Sequence, residues 1–111
     1  MQVYDFSESA LKVSFDGRLD VSGVDAVESD FEAKVVPQGK HLIIDLSNVS
    51  FVASLGIRML VSVARTLLRA DAKVVLTNAN GPVAEVFEMA ALDELIPVVE
   101  DDKAASAKLS G

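Results

Sequence analysis

Between His41 and Arg69 the hydrophobic pattern changes period, and that change constrains the fold more than any other feature of the chain. Leu42 to Leu46 is an apolar run interrupted only by Asp45, as in a strand covered on both faces of a sheet. Such a strand lies mid-sheet. A polar link, Ser47-Asn48-Val49-Ser50, leads through Phe51-Val52-Ala53 to Ser54, after which apolar residues recur at Ile57, Leu60, Val61, Ala64, Leu67 and Leu68. This spacing predicts a helix that starts near Ser54 and turns that set inward, with Arg58, Ser62, Arg65 and Arg69 on the solvated side. Ser54 itself suits an N-cap, its hydroxyl oxygen accepting from the N–H of Gly56 or Ile57.

The flanking segments complete an alternation of strands and helices. Gln2 to Phe6 and Ala10 to Phe15 alternate in polarity around the turn Ser7-Glu8-Ser9 and predict a hairpin, with Lys12, Ser14 and Asp16 on a wet face. Gly17 ends the alternation. A helix is then predicted from Ser22, with Asp25 at capping-box spacing and Val24, Val27, Phe31 and Val35 inward. Its outer face, with Asp25, Glu28, Asp30 and Glu32, reads as a solvated acidic surface. Pro37-Gln38-Gly39 stops this helix. Further on, Lys73 to Thr77 reads as a second buried strand, and Asn78 to Pro82 as a loop into a short helix with Val83, Val86, Phe87 and Ala90 inward. Ile96 to Val99, which contains Pro97, reads as an edge strand. Residues 101–111 read as a weak terminal helix or a frayed tail.

These elements predict an α/β fold: a single-layer, mostly parallel sheet with an N-terminal hairpin strand and helices packed against it. The chain of 111 residues is long enough for one such domain, with a core at about 3–100 and a tail at 101–111. In parallel sheets the loops after strands gather at the carboxyl ends, so Asp20, Ser54 and the segment Asn78 to Gly81 should share one rim.

Composition narrows the chemistry. Cysteine is absent and His41 is the lone histidine, which argues against disulfides, thiolate catalysis and a metal centre. No cofactor is expected. A net charge of -7 argues against nucleic acid or an anionic membrane surface as partner and favours a protein surface. No apolar run reaches the length of a membrane span, and MQVYDF carries no basic or apolar leader pattern, so the expectation is a cytoplasmic protein without membrane insertion. Enzymatic readings find little support. Val52-Ala53-Ser54-Leu55-Gly56 lacks the first glycine of a nucleophile elbow, and Asn78 to Pro82 lacks the lysine of a phosphate loop. Asp45 has no acidic pair beside it of the kind that holds magnesium in phospho-acceptor domains, and reads as an acceptor for loop N–H groups. No catalytic residue is assigned.

Gly17-Arg18-Leu19-Asp20 before an acidic helix, Asp45-Leu46-Ser47-Asn48-Val49 leading into Phe51 to Ile57, and the strand Lys73 to Thr77 together resemble the STAS domain of bacterial anti-sigma-factor antagonists. The resemblance runs from about Val3 to Glu100. It implies a domain that binds an anti-sigma factor doubling as a serine kinase, is released when the serine matching Ser54 is phosphorylated, and is restored by a serine phosphatase. It also implies that Asp20 sits beside that serine. The chain departs from the family pattern at Ala53 and Leu55, where aspartate and a serine or threonine are usual. These departures fit an alternative role, a non-phosphorylated accessory subunit of a transporter ATPase or a sensory complex. The expected docking surface comprises Asp20, Ser54, Leu55, Gly56, Arg58 and Met59, with Arg58 one turn from Ser54 and able to answer a phosphate in part.

Overall fold

The structure, a computed structural model, describes residues 1–110. Five strands, β1 (Gln2–Ser7), β2 (Ala10–Leu19), β3 (His41–Val52), β4 (Val74–Thr77) and β5 (Val98–Val99), form one sheet in chain order. β1 runs antiparallel to β2, and every later pair is parallel. The helices are α1 (Val21–Val35), α2 (Ser54–Arg69), α3 (Gly81–Met89) and α4 (Asp102–Ser110).

Each parallel strand is added on the same side of its predecessor, so right-handed crossovers carry α1, α2 and α3 onto one face of the sheet. Their inward residues join Leu11, Val13, Phe15, Leu42, Ile44, Leu46, Val74 and Leu76 in the main core. Phe15 and Phe31 meet edge to face at 5.1 Å, locking α1 to β2. The alternate positions Ile43 and Val75 point the other way and pack with Ala105 of α4, joined by Phe6, Val99 and Leu109. The alanine-rich tail is therefore a helix with a seat on the sheet. It covers part of the face expected to be wet, because Ile43 and Val75 need a partner there. Lys12 emerges beneath the first turn of α4 and donates to Asp102 at 2.7 Å, with Asp45 at 3.7 Å.

The strands are longer than the alternation suggested. β2 continues past Phe15 to Leu19, with register shifts against β3 between Ser14 and Asp16 and between Gly17 and Arg18. Gly17, at φ 81°, takes the bulge conformation that glycine adopts without strain. For the same reason the polar segment Ser47 to Ser50 is strand, not link: its backbone stays paired to β2 while the bulges upset the alternation by which a strand is read. β5, at the edge, is shorter than the predicted Ile96 to Val99. α1 starts at Val21 with Asp20 as its N-cap, so the predicted start at Ser22 and its capping box with Asp25 do not form. Asp45 accepts from the Ser47 N–H at 3.0 Å and from Asn78 Nδ2 at 3.2 Å, which ties the middle of β3 to the end of β4. Burial pushes its carboxyl upward, but these hydrogen bonds and the Lys12 charge outweigh that, and its pKa lies below the usual value.

Candidate functional site: the rim at the ends of β2 and β3

Leu19 and Val52 are register partners at the ends of β2 and β3. The last bond between the two strand ends runs from the Ala53 N–H to the Leu19 carbonyl at 2.9 Å. Asp20 follows Leu19 directly, and Ser54 follows Val52 after the single residue Ala53, so the two strand ends deliver them to the same rim.

Asp20 is fully engaged. Its Oδ1 accepts from the Gly23 N–H at 3.0 Å, capping α1, and its Oδ2 accepts from Arg18 Nε at 3.1 Å. The Gly23 bond first, and Arg18 second, hold its carboxyl below the ordinary carboxylate value. The negative charge is thus fixed in place. Gly23 admits no side chain, since a Cβ there would lie 1.9 Å from the Arg18 carbonyl oxygen. Arg18 in turn lies over the Phe51 ring, 4.3 Å from its centroid.

Ser54 is the first helical residue of α2 and is exposed. It is not the N-cap. Ala53 occupies that position, its N–H bound to Leu19 and its carbonyl accepting from the Ile57 N–H at 3.1 Å, and no side chain caps the helix. Strand pairing sets the helix start here one residue earlier than a capping serine would. The Ser54 hydroxyl is consequently left out of the capping role and stands at the end of a helix whose first N–H groups lack side-chain acceptors.

Of the other expected docking residues, Leu55 is 37% exposed and Arg58 is exposed, but Gly56 and Met59 are not surface residues. Met59 is 0% exposed. A Cβ on Gly56 would lie 2.7 Å from the Leu19 carbonyl oxygen and 3.0 Å from the Leu19 and Val52 side chains. That contact turns the inward face of α2 toward Gly56, Met59, Leu60, Val63, Ala64 and Leu67. Ile57 and Val61 fall to its margin and Leu68 to solvent, at 41% exposed. Three residues of the rim were not anticipated: Arg18, Phe51 at 38% exposed and Val21 at 58%. Arg18 and Phe51 each precede an inward residue, Leu19 and Val52, on neighbouring strands. That phase is the signal that they share a face.

The predicted rim neighbour Asn80 is placed by two bonds. Its Oδ1 accepts from the Val83 N–H at 3.0 Å, capping α3, and its Nδ2 donates to the Val49 carbonyl at 2.9 Å. Among the described residues no three histidine, aspartate or glutamate side chains gather as a metal site would need, and no helix is long and apolar enough to cross a membrane.

Comparison with known proteins supports the fold. The sequence model of the STAS domain matches residues 2–105. A Bordetella bronchiseptica protein named as the candidate anti-sigma factor antagonist BtrV is 25% identical over 103 residues, 93% of this chain and 89% of its own. The anti-sigma factor antagonist SpoIIAA in its unphosphorylated form superposes with a TM-score of 0.80 at 20% identity, covering 99% of this chain and 96% of that one. The phosphorylated form of SpoIIAA, from Bacillus, gives 0.71 at 18% identity, over 96% of each chain. The STAS domain of a SulP transporter from Vibrio cholerae gives 0.74 at 21% identity, over 95% of this chain and 84% of that one. At these identities the structures establish the shared fold.

Proposed function

The chain belongs to the STAS domain family, and from that membership we propose that it is an anti-sigma-factor antagonist controlled by phosphorylation of Ser54. In this reading the unmodified rim binds an anti-sigma factor that is also a serine kinase. Phosphate on Ser54 releases the complex, and a serine phosphatase restores it. The chain acts by binding and is not itself an enzyme.

The observation that carries the proposal is the free Ser54 hydroxyl, exposed at the start of α2 and without a capping duty, on a rim that also exposes the apolar side chains of Leu55, Phe51 and Val21. Those side chains supply apolar contact area that a partner can cover. A phosphate adds a charge of about -1.5 to -2. The isolated fold tolerates it, since the free N–H groups and positive end of α2 favour an anion and Arg58 lies one turn away. Inside a packed interface the same charge loses water without a dedicated counter-ion, at a cost of several kcal/mol, by order of magnitude. Asp20, already negative and immobilised by Gly23 and Arg18, adds to the local charge. The modification therefore weakens the complex far more than it weakens the fold.

The test is capture of partners from native lysate on wild-type, Ser54→Ala and Ser54→Glu baits, with mass spectrometry of the bound proteins and of Ser54 itself. An anti-sigma factor kinase held by the first two baits and lost by the third is the expected result; equal binding by all three removes the switch. A second reading, an unphosphorylated accessory subunit, draws on Ala53 and Leu55 flanking Ser54 and on the likeness to a transporter STAS domain. Persistent absence of phosphate on Ser54, with an ATPase co-purifying, would favour it.

A further inference from the structure

α2 carries three arginines, Arg58, Arg65 and Arg69, and no acidic residue, in a chain whose net charge is -7. At about 100° per residue, Ser54, Arg65, Arg58 and Arg69 fall within roughly 60° of helix arc. They therefore form one stripe that begins at the serine and runs down the exposed face. The helix rises about 1.5 Å per residue, so the stripe is roughly 20 Å long. All four residues are exposed. Among the described residues no carboxylate lies within ion-pair distance of any of the three arginines, although Arg18 and Lys40 each have one and Lys12 has two. The acidic outer face of neighbouring α1 does not reach them. Beside the stripe lies a shallow recess of about 240 Å³ lined by Arg58, Val61, Ser62, Arg65, Thr66 and Arg69, and Leu55 and Leu68 flank the stripe with exposed apolar surface.

We propose that this stripe is the second half of the docking surface, and that it receives an acidic segment of the same protein partner whose contact begins at Ser54. The proposal rests on the docking reading above and gives the partner's chemistry. Charge complementarity selects the occupant. Three uncompensated guanidiniums on an otherwise acidic molecule are a local attractive site for carboxylates spaced along a helix or an extended chain. A nucleic acid rod would instead meet the negative field of the whole chain. The stripe also sharpens the switch: a partner that presents carboxylates along α2 is repelled by a phosphate at the head of the same line, in addition to the desolvation that phosphate suffers. Arg58, nearest Ser54, is then drawn from the partner toward the phosphate in the same molecule.

The first measurement is an NMR titration of the isotope-labelled chain with a synthetic amphipathic helical peptide bearing glutamates on one face. A lysine-faced peptide and a duplex oligonucleotide serve as comparisons. Amide shifts confined to the exposed face of residues 54–69 are expected with the glutamate peptide. Affinity should fall about tenfold or more in Arg58→Glu/Arg65→Glu/Arg69→Glu and be largely kept in the corresponding triple lysine variant. Binding should also weaken as ionic strength rises from about 0.05 to about 0.5 M. Equal response to the lysine peptide, tighter binding of the duplex, or a salt-sensitive dimer abolished by the charge reversal would each overturn the proposal. The second measurement separates it from the docking reading. If Ser54→Glu releases the captured kinase while Arg65→Glu/Arg69→Glu keeps it at wild-type level, the switch stands and the acidic-partner inference falls.

Discussion

Ser54 is the residue where a strand-end geometry overrides a local preference. Because Ala53 caps α2 through backbone bonds alone, Ser54→Ala should change stability by no more than about 0.5 kcal/mol, where loss of a true capping serine would cost about 1 kcal/mol. Chemical denaturation of the two proteins decides between these values. Gly56 behaves oppositely. A Cβ there would lie 2.7 to 3.0 Å from atoms of Leu19 and Val52, so Gly56→Ala should destabilise the fold by about 1–3 kcal/mol, as overpacking does. It should also displace Ser54 from the rim, lowering the melting temperature and partner binding together. Asn80 holds the rim from the other side. Removing its cap on α3 and its bond to Val49 in Asn80→Ala should cost about 1–2 kcal/mol, read as a shift in the denaturant midpoint.

α4 is the element least secured by its own sequence. It is short, alanine-rich and weakly amphipathic, and its fully buried anchor is Ala105. Its docking therefore leans on the Lys12 bond to Asp102, a partly exposed pair worth about 1 kcal/mol or less, and one oxygen of that carboxylate, Oδ1, is buried without a partner. Lys12→Met should loosen α4 without unfolding the sheet, so tryptic cleavage at Lys103 and Lys108 should accelerate while far-UV circular dichroism keeps most of its amplitude. The Asp102 hydrogen bond, against some desolvation, raises the Lys12 pKa. Its contribution is accordingly complete below the unfolded-state value of about 10.4 and fades as pH rises through the higher folded value. Helical signal from the C-terminus should decline on that alkaline side, and Lys12→Met should abolish the dependence.

For the molecule as a whole, the carboxylates work in the other direction. Asp20 and Asp45 both have folded pKa values below the ordinary one. The stability they contribute is present above the unfolded value of about 3.9 and is lost as pH falls through the folded values. Acid unfolding followed by circular dichroism should therefore steepen below about pH 4, and Asp45→Asn should flatten that limb. Function and stability separate at the rim. Ser54→Glu should keep the melting temperature within a few degrees of wild type while releasing the partner, since the substituted group is solvated in the free chain and desolvated only in the complex.

The pattern of periods along the chain determined the class of fold, the position of β3 at mid-sheet, the hairpin and the delivery of Asp20 and Ser54 to one rim. All of these follow from short-range alternation and from the directionality of parallel crossovers. The sequence also carried the arginine stripe, since residues at helical spacing share a face whatever the helix packs against. Only the tertiary structure decided which arc of α2 turns inward, because the close approach of Gly56 to Leu19 fixes the helix's rotation. Met59 was thereby buried, and Leu68 left in solvent. It also decided that Ala53, not Ser54, ends the loop, and that α4 covers Ile43 and Val75. These outcomes depend on contacts between segments far apart in the chain, whose energies no local spacing encodes.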